Sequence, residues 1–209
     1  MINVTYAITV CNEMKELISL LNFLQPKLKG DDEILIQYDE SNVTTEVLKY
    51  LKIVEKLHPN HKVIGYPLNG NFAEFKNNLK SNSNGIFIFQ IDADEIPSEY
   101  LIDNIHQILE FNKEVDLFFV PRINTVSGLT QSHIDKWKWS VNSNGWLNFP
   151  DYQSRIYRRT SEIEWSGKVH ETVVGYNTVS VLPAEEDYCL YHPKDIERQE
   201  RQNSLYENM

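Results

Sequence analysis

The sequence predicts an α/β protein built on a mostly parallel sheet with helices on both faces, and three observations carry that prediction. Over the first 126 residues, β-branched apolar runs alternate with helically spaced apolar stripes, the β-α-β rhythm of a parallel sheet. The strand candidates end in polar residues and lead into helices, with no hairpin turns between them. One of them, "GIFIFQI" (85–91), is almost continuously apolar, as a strand covered on both faces has to be.

"NVTYAITV" (3–10) is rich in β-branched residues and stops at Cys11-Asn12-Glu13, so it reads as the first strand. "EMKELISLLNFLQ" follows, with Leu17, Leu20, Leu21 and Leu24 on one helical face and Pro26 and Gly30 to end it. "EILIQYDES" (33–41) is a second strand. "TTEVLKYLKIVEKL" (44–57) is a second helix, with Val47, Leu48, Leu51, Val54 and Leu57 as its stripe. "KVIGYP" (62–67) and "NFAEFKNNLK" (71–80) give a third strand and a short helix. After the strand at 85–91, Pro97-Ser98 opens the helix "SEYLIDNIHQILEF", with the proline placed where no N–H is needed. "VDLFFVPRINTV" (115–126) is a fifth strand.

Beyond residue 127 the texture changes. "KWKWSVNSNGWLNFP" is aromatic and rich in Asn and Gly, short strands are expected at 153–158 and 173–182, and "PKDIERQERQNSLYENM" reads as a polar helical end. We therefore expect one structural domain in two halves, 1–126 regular and 127–209 irregular and aromatic.

The 41% apolar and 24% charged residues are those of an ordinary globular chain long enough for a substantial core. A formal charge of −10 argues against general affinity for nucleic acid or an anionic membrane surface. Cys11 and Cys189 match no metal spacing, which points to a reducing compartment, with a single disulfide as the alternative. The N-terminus lacks a basic region before its apolar run, and no long hydrophobic segment follows. The expectation is a cytoplasmic protein without a transmembrane segment, with peripheral membrane association left open.

In open parallel sheets ligands bind beyond the carboxyl ends of the strands. The residues there are Asn12 and Glu13, Asp39 and Glu40, Asn69 to Asn71, and Asp92-Ala93-Asp94-Glu95. No Gly-rich loop follows the first strand, which argues against a dinucleotide fold and against a P-loop. Carboxylates gather where a phosphate ligand is expected, and the two tolerate each other when a divalent cation lies between them. Mg²⁺ and Mn²⁺ take oxygen ligands and bridge to substrate phosphates, so Asp92 and Asp94 read as a mount for a metal–diphosphate. The plain alternative is a solvated loop with an acid capping the next helix.

With these pieces in view, the chain resembles the GT-A glycosyltransferases, particularly family 2 and its subset acting on lipopolysaccharide cores and similar glycans. The resemblance rests on "VCNE" (10–13), "YDES" (38–41), "GNFAEFKNN" (70–78), "QIDADE" (90–95), "PDYQSRIYRR" (150–159) and "WSGKVHE" (165–171), in that order. It implies a metal-dependent, inverting transfer of a sugar from a UDP- or GDP-sugar to a glycan or lipid-linked saccharide. On this reading 1–126 binds the nucleotide-sugar and 127–209 the acceptor. Asn12 and Glu13 would line the nucleotide pocket, with a helix start as their other role. Asp39 would bond the base, or else serve its own turn with Ser41 and Asn42. Asn71 and Lys76 would approach the sugar or phosphates, with Lys76 standing where the resemblance leads one to expect arginine. Asp92 would touch ribose and metal, Asp94 would bind Mn²⁺ or Mg²⁺ directly, and His170 would complete the metal shell or donate to the diphosphate, an ordinary surface or core histidine being the alternative, with His192 ranked behind it.

An inverting transfer needs a carboxylate to take the acceptor proton. Asp151 is preferred for that role over Glu171, and Arg155 and Arg158 would orient the base or bind phosphate, a cationic surface strand being the alternative. Trp137, Trp139 and Trp146 offer flat faces for sugars or simple packing. Two other functions compete. A sugar-phosphate nucleotidyltransferase would carry a Gly-rich basic loop after the first strand and release pyrophosphate. A non-catalytic glycan-binding relative would not hydrolyse donor.

Overall fold

In a computed structural model, residues 2–207 are described, with side chains to residue 201. The first half follows the sequence pattern closely. Strand β1 (Val4–Val10) leads into α1 (Met14–Leu24), β2 (Glu33–Asp39) into α2 (Thr45–Leu57), and β3 (His61–Tyr66) into α3 (Phe72–Ser81). Strand β4 (Phe87–Asp92), a two-residue β5 (Ile96–Pro97), α4 (Glu99–Phe111) and β6 (Leu117–Ser127) come next. The helix starts are capped locally: the side chains of Thr44, Asn71 and Ser98 accept the N–H of Val47, Glu74 and Leu101.

The second half departs from expectation. A short α5 (Gln131–Trp137) buries no residue, so no periodicity announces it. Strand β7 (Leu147–Arg158) is twice the length read from the sequence. The strand expected at 173–182 is two pieces, β9 (Thr172–Val174) and β10 (Val179–Val181). They are parted at Gly175, whose φ of 79° breaks the extended run. Strand β8 (Glu164–Ser166) pairs β9 as a separate hairpin, and β11 (Leu190–Asp195) runs into α6 (Ile196–Glu207).

The main sheet has the order β3-β2-β1-β4-β7-β6-β11-β5, with β10 also on β6. The pairs β2–β3, β1–β2, β1–β4, β6–β10 and β6–β11 are parallel. The fifth long strand does not lie beside β4. Strand β7 sits between them, antiparallel to both. One face packs Tyr6, Ile8, Phe87 and Phe89 against Leu20, Leu51 and Ile105 of α1, α2 and α4. The other packs Ile88, Leu117 and Tyr157 against Ala73 and Leu79 of α3 and Trp165 and Val173 of the hairpin. Both cysteines are free, Cys189 buried, and no helix among the described residues is long and apolar enough to cross a membrane.

Candidate active site

The chain leaves β1 toward β2 and returns to β4 on the other side of β1, so the carboxyl ends of β1 and β4 flank a topological switch point. Asp92 to Glu95 form a tight turn there. The Glu95 N–H donates to the Asp92 carbonyl at 2.8 Å, and the Asp92 N–H donates to Glu95 Oε2 at 3.2 Å. Arg155 holds the turn from β7. Its Nη2 donates to Asp92 Oδ2 at 2.7 Å and to Glu95 Oε1 at 2.5 Å, while the Thr9 hydroxyl donates to Asp92 Oδ1 at 2.8 Å. Phe118 pairs with Ile156 but Phe119 with Ser154, so Arg155 is the extra residue of a β-bulge. Such a bulge re-aims one side chain, here onto the acidic turn.

Glu95 was expected to line the site with Asp92 and Asp94, and here the expectation fails. It is 0% exposed and clamped by Arg155 and by Arg122 Nη1 at 3.0 Å, so it anchors the turn from beneath. Burial works against the Asp92 charge, but the Arg155 guanidinium, Lys76 and the Thr9 hydroxyl outweigh it and hold the carboxyl far below the usual range.

Asp94 faces the opposite edge of the turn. His192 Nε2 lies 3.3 Å from its Oδ2, and Arg198 Nη2 3.0 Å from the same oxygen. Burial raises the Asp94 pKa and Asp92 adds to that, yet the His192 hydrogen bond and charge and the Arg198 charge leave it lowered. The histidine that meets the acidic turn is thus His192, the residue ranked second in sequence. His170 sits at φ 56° in the loop before Glu171.

A chain of hydrogen bonds fixes the His192 ring. Asn124 Nδ2 donates to Asp151 Oδ2 at 2.8 Å, so Asn124 Oδ1 turns toward His192 Nδ1, 2.7 Å away. That network assigns the proton to Nδ1. Nε2 then faces the Asp94 carboxylate, whose Oδ2 also meets the Arg198 guanidinium. A carboxylate oxygen and an imidazole nitrogen whose other N–H donates to a carbonyl form a mixed donor pair that Mn²⁺ accepts more readily than Mg²⁺, which prefers oxygen alone. Among the described residues no three His, Cys, Asp or Glu side chains are gathered for a metal, so the remaining ligands would be phosphate and water.

Asp151 is reached from β6. Arg122 Nε and Nη2 donate to its Oδ2 at 2.9 and 2.7 Å, and Gln153 donates to Oδ1 at 2.7 Å. Burial opposes its charge, but Arg122 and the bonds from Asn124, Arg122 and Gln153 hold the carboxyl below its ordinary range. Glu171 is held from α3 instead, by the Lys76 whose charge also acts on Asp92. Lys76 is 2.6 Å from Glu171 Oε1 and 4.3 Å from the centre of the Trp165 ring, which is itself buried edge-on against Tyr157. A cavity of about 590 Å³, lined by Phe119, Ser154 and 172–176, adjoins Glu171 along the chain.

Several predicted residues are occupied locally. Asp39 Oδ1 accepts the N–H of Ser41 and Leu68, and its Oδ2 the amide of Asn42, the turn arrangement foreseen as its alternative. Asn71 and Glu74 bond each other at the start of α3. Asn12 is exposed, and Glu13 Oε2 turns back to accept the N–H of Cys11 and Asn12. Arg158 lies over the Phe87 ring and bonds Asp116 and the carbonyls of Lys113 and Val115, far from any role with the base. Trp137 stacks on His133 and touches Trp139, and Trp146 meets Phe149, all half-exposed. Arg122 and Arg198 were missed. Both make their contacts across long sequence separations, and only the polar break Arg122 makes in an apolar strand hinted at either.

No family model matches the chain, and no curated protein matches it in sequence. Among solved structures it is similar to residues 1–349 of S. aureus TarS, with a TM-score of 0.63 and 16% identity over 92% of this chain and 60% of that one. The same TarS fragment in complex with UDP-GlcNAc gives a TM-score of 0.63 and 16% identity over 93% and 59%, and in complex with UDP 0.62 and 16% over 92% and 60%. The chain spans about 60% of the length of that fragment. The likeness shows the fold, the GT-A-like α/β architecture with a mostly parallel central sheet.

Proposed function

We propose that the protein is an inverting glycosyltransferase that uses a nucleoside-diphosphate sugar, most simply a UDP- or GDP-sugar, and a divalent cation. The observation that carries the proposal is the chain Asp94, His192, Asn124, Asp151, which joins an oxygen–nitrogen pair able to hold a cation to a carboxylate available as base. Asp94 and His192 would hold Mn²⁺ or Mg²⁺, which when bound supplies charge stabilisation to the departing diphosphate. Asp92, fixed by Arg155 and Thr9, stays ionised to meet the ribose. Lys76 and the Trp165 face bound the donor pocket on the α3 side. The half 127–209 carries the acceptor surface. Binding of UDP and UDP-GlcNAc by the TarS fragment of like fold supports a nucleotide-sugar donor.

The experiment is a melting series with UDP or GDP, each with and without Mn²⁺. A ligand a hundredfold above Kd raises stability by about 2.7 kcal/mol. Nucleotide plus metal is expected to exceed the sum of the two alone, since each ligand tightens the other by the same factor. Equal stabilisation in the presence of a chelator would remove the metal from the proposal.

Asp151 is our base. Its Oδ2 is taken up by Arg122 and Asn124, whereas among the described residues Oδ1 accepts from Gln153 alone, leaving room for the proton of an acceptor hydroxyl. Its lowered pKa keeps it ionised, at a cost in basicity that loss of a hydrogen bond on acceptor binding would offset. Asp151→Asn should therefore cut turnover by about 10²–10⁴-fold with little change in donor affinity. If Asp151→Asn turns over normally and Glu171→Gln shows that pattern, the base is Glu171.

A further inference from the structure

The guanidinium of Arg198, on α6, meets three carboxylates from three elements. It lies 3.0 Å from Asp94 after β4, 3.3 Å from Glu13 after β1 and 3.2 Å from Glu16 of α1. Asp94 and Glu13 close the two strands that flank the switch point, so Arg198 spans the place where a ligand of this fold sits. Holding α6 down is not a sufficient reason for the arrangement. Partly exposed ion pairs add little stability, and the part of α6 whose side chains are described, "IERQER", offers one apolar residue, Ile196. A helix tied by charge to a ligand site answers to the charge of the ligand. Of the three carboxylates, Asp94 is the one the proposed function assigns to a metal, which would compete with Arg198 for the same oxygen.

We propose that Arg198 is a donor-binding residue. It neutralises Asp94 and Glu13 while the site is empty, and moves its planar fork onto the terminal phosphate of the nucleoside diphosphate once a cation takes Asp94. A guanidinium matches phosphate oxygens in pairs, which a lone ammonium cannot do. The inference rests on the glycosyltransferase reading and adds to it a specific phosphate contact and a role for the C-terminal helix.

The test compares wild type, Arg198→Ala and Arg198→Lys by calorimetry with Mn²⁺ and either the mono- or the diphosphate of the preferred nucleoside. The preference for diphosphate over monophosphate should fall about tenfold or more in Arg198→Ala, with monophosphate affinity nearly unchanged. Arg198→Lys should recover part of it. Without nucleotide, Mn²⁺ titrated by electron paramagnetic resonance should bind Arg198→Ala more tightly than wild type, because a competitor for Asp94 is gone. An unchanged diphosphate preference in a folded Arg198→Ala would overturn the inference and leave Arg198 as a tie for α6. If the wild type binds neither nucleotide, the glycosyltransferase reading itself falls and this inference with it.

Discussion

Asp94→Ala is expected to abolish sugar transfer, with turnover down by at least about 10²–10³-fold, in a protein that melts close to wild type. The loss follows from position. Asp94 is the one carboxylate of the turn partnered by His192 and Arg198, whereas Asp92 and Glu95 are tied to Arg155. Removing it leaves His192 Nε2 without the oxygen that would share a metal, and electrostatic stabilisation of a leaving group is commonly the largest single contribution to such a step. The fold should tolerate the change because the side chain packs into neither core cluster. Steady-state turnover with a melting curve decides the matter, and near-wild-type turnover would withdraw the metal role from Asp94.

Arg155→Ala is expected to produce the largest loss of stability. Arg155 is 3% exposed and is shared by Asp92 and the fully buried Glu95. Taking one partner from a buried ion pair costs about 3–5 kcal/mol, because the stranded charges keep their desolvation penalty. Against a typical total of about 5–15 kcal/mol, that is a large share. A single nitrogen makes both bonds, so Arg155→Lys should retain part of the stability. Glu95→Gln in the Arg155→Ala background should recover some as well, since it removes the stranded charge. Urea midpoints measure all three. A loss below about 1 kcal/mol for Arg155→Ala would mean that Arg122 alone suffices for Glu95.

These two results divide the acidic turn into parts that the sequence presents as one. The strand-helix order to residue 126 is legible because each element carries its own period: Leu17, Leu20, Leu21 and Leu24 are all buried as read, and Phe87 to Ile91 are covered on both faces, although Ile86, read into the same strand, is exposed. The carboxylates at the end of β4 are legible for the same reason, as charge where an apolar run stops. What each carboxylate does is not legible. Glu95 turns inward because Arg122 and Arg155, 27 and 60 residues away, arrive there on β6 and β7. His192 reaches the turn because β11 pairs with β6 and brings Asn124 beside it, a pairing with no local signature. Nothing in residues 127–149 foretells α5, since none of its side chains is buried and propensity alone has to speak.

The place of β7 bears on how the chain is made. While residues 1–126 leave the ribosome, β4 has β1 on one side and a bare edge at Phe87–Phe89 on the other, and β6 has no partner that joins it to β4. The strand that fills the gap ends at Arg158, and until it is synthesised the two parts of the sheet are not connected by hydrogen bonds. A nascent or truncated chain ending near residue 126 therefore exposes an apolar strand edge able to pair with another chain. The regular α/β half is thus no independent folding unit. Cutting the protein at the change of texture near residue 127 to isolate a nucleotide-binding module would remove the strand that closes the sheet, and with it the Arg155 that holds the acidic turn.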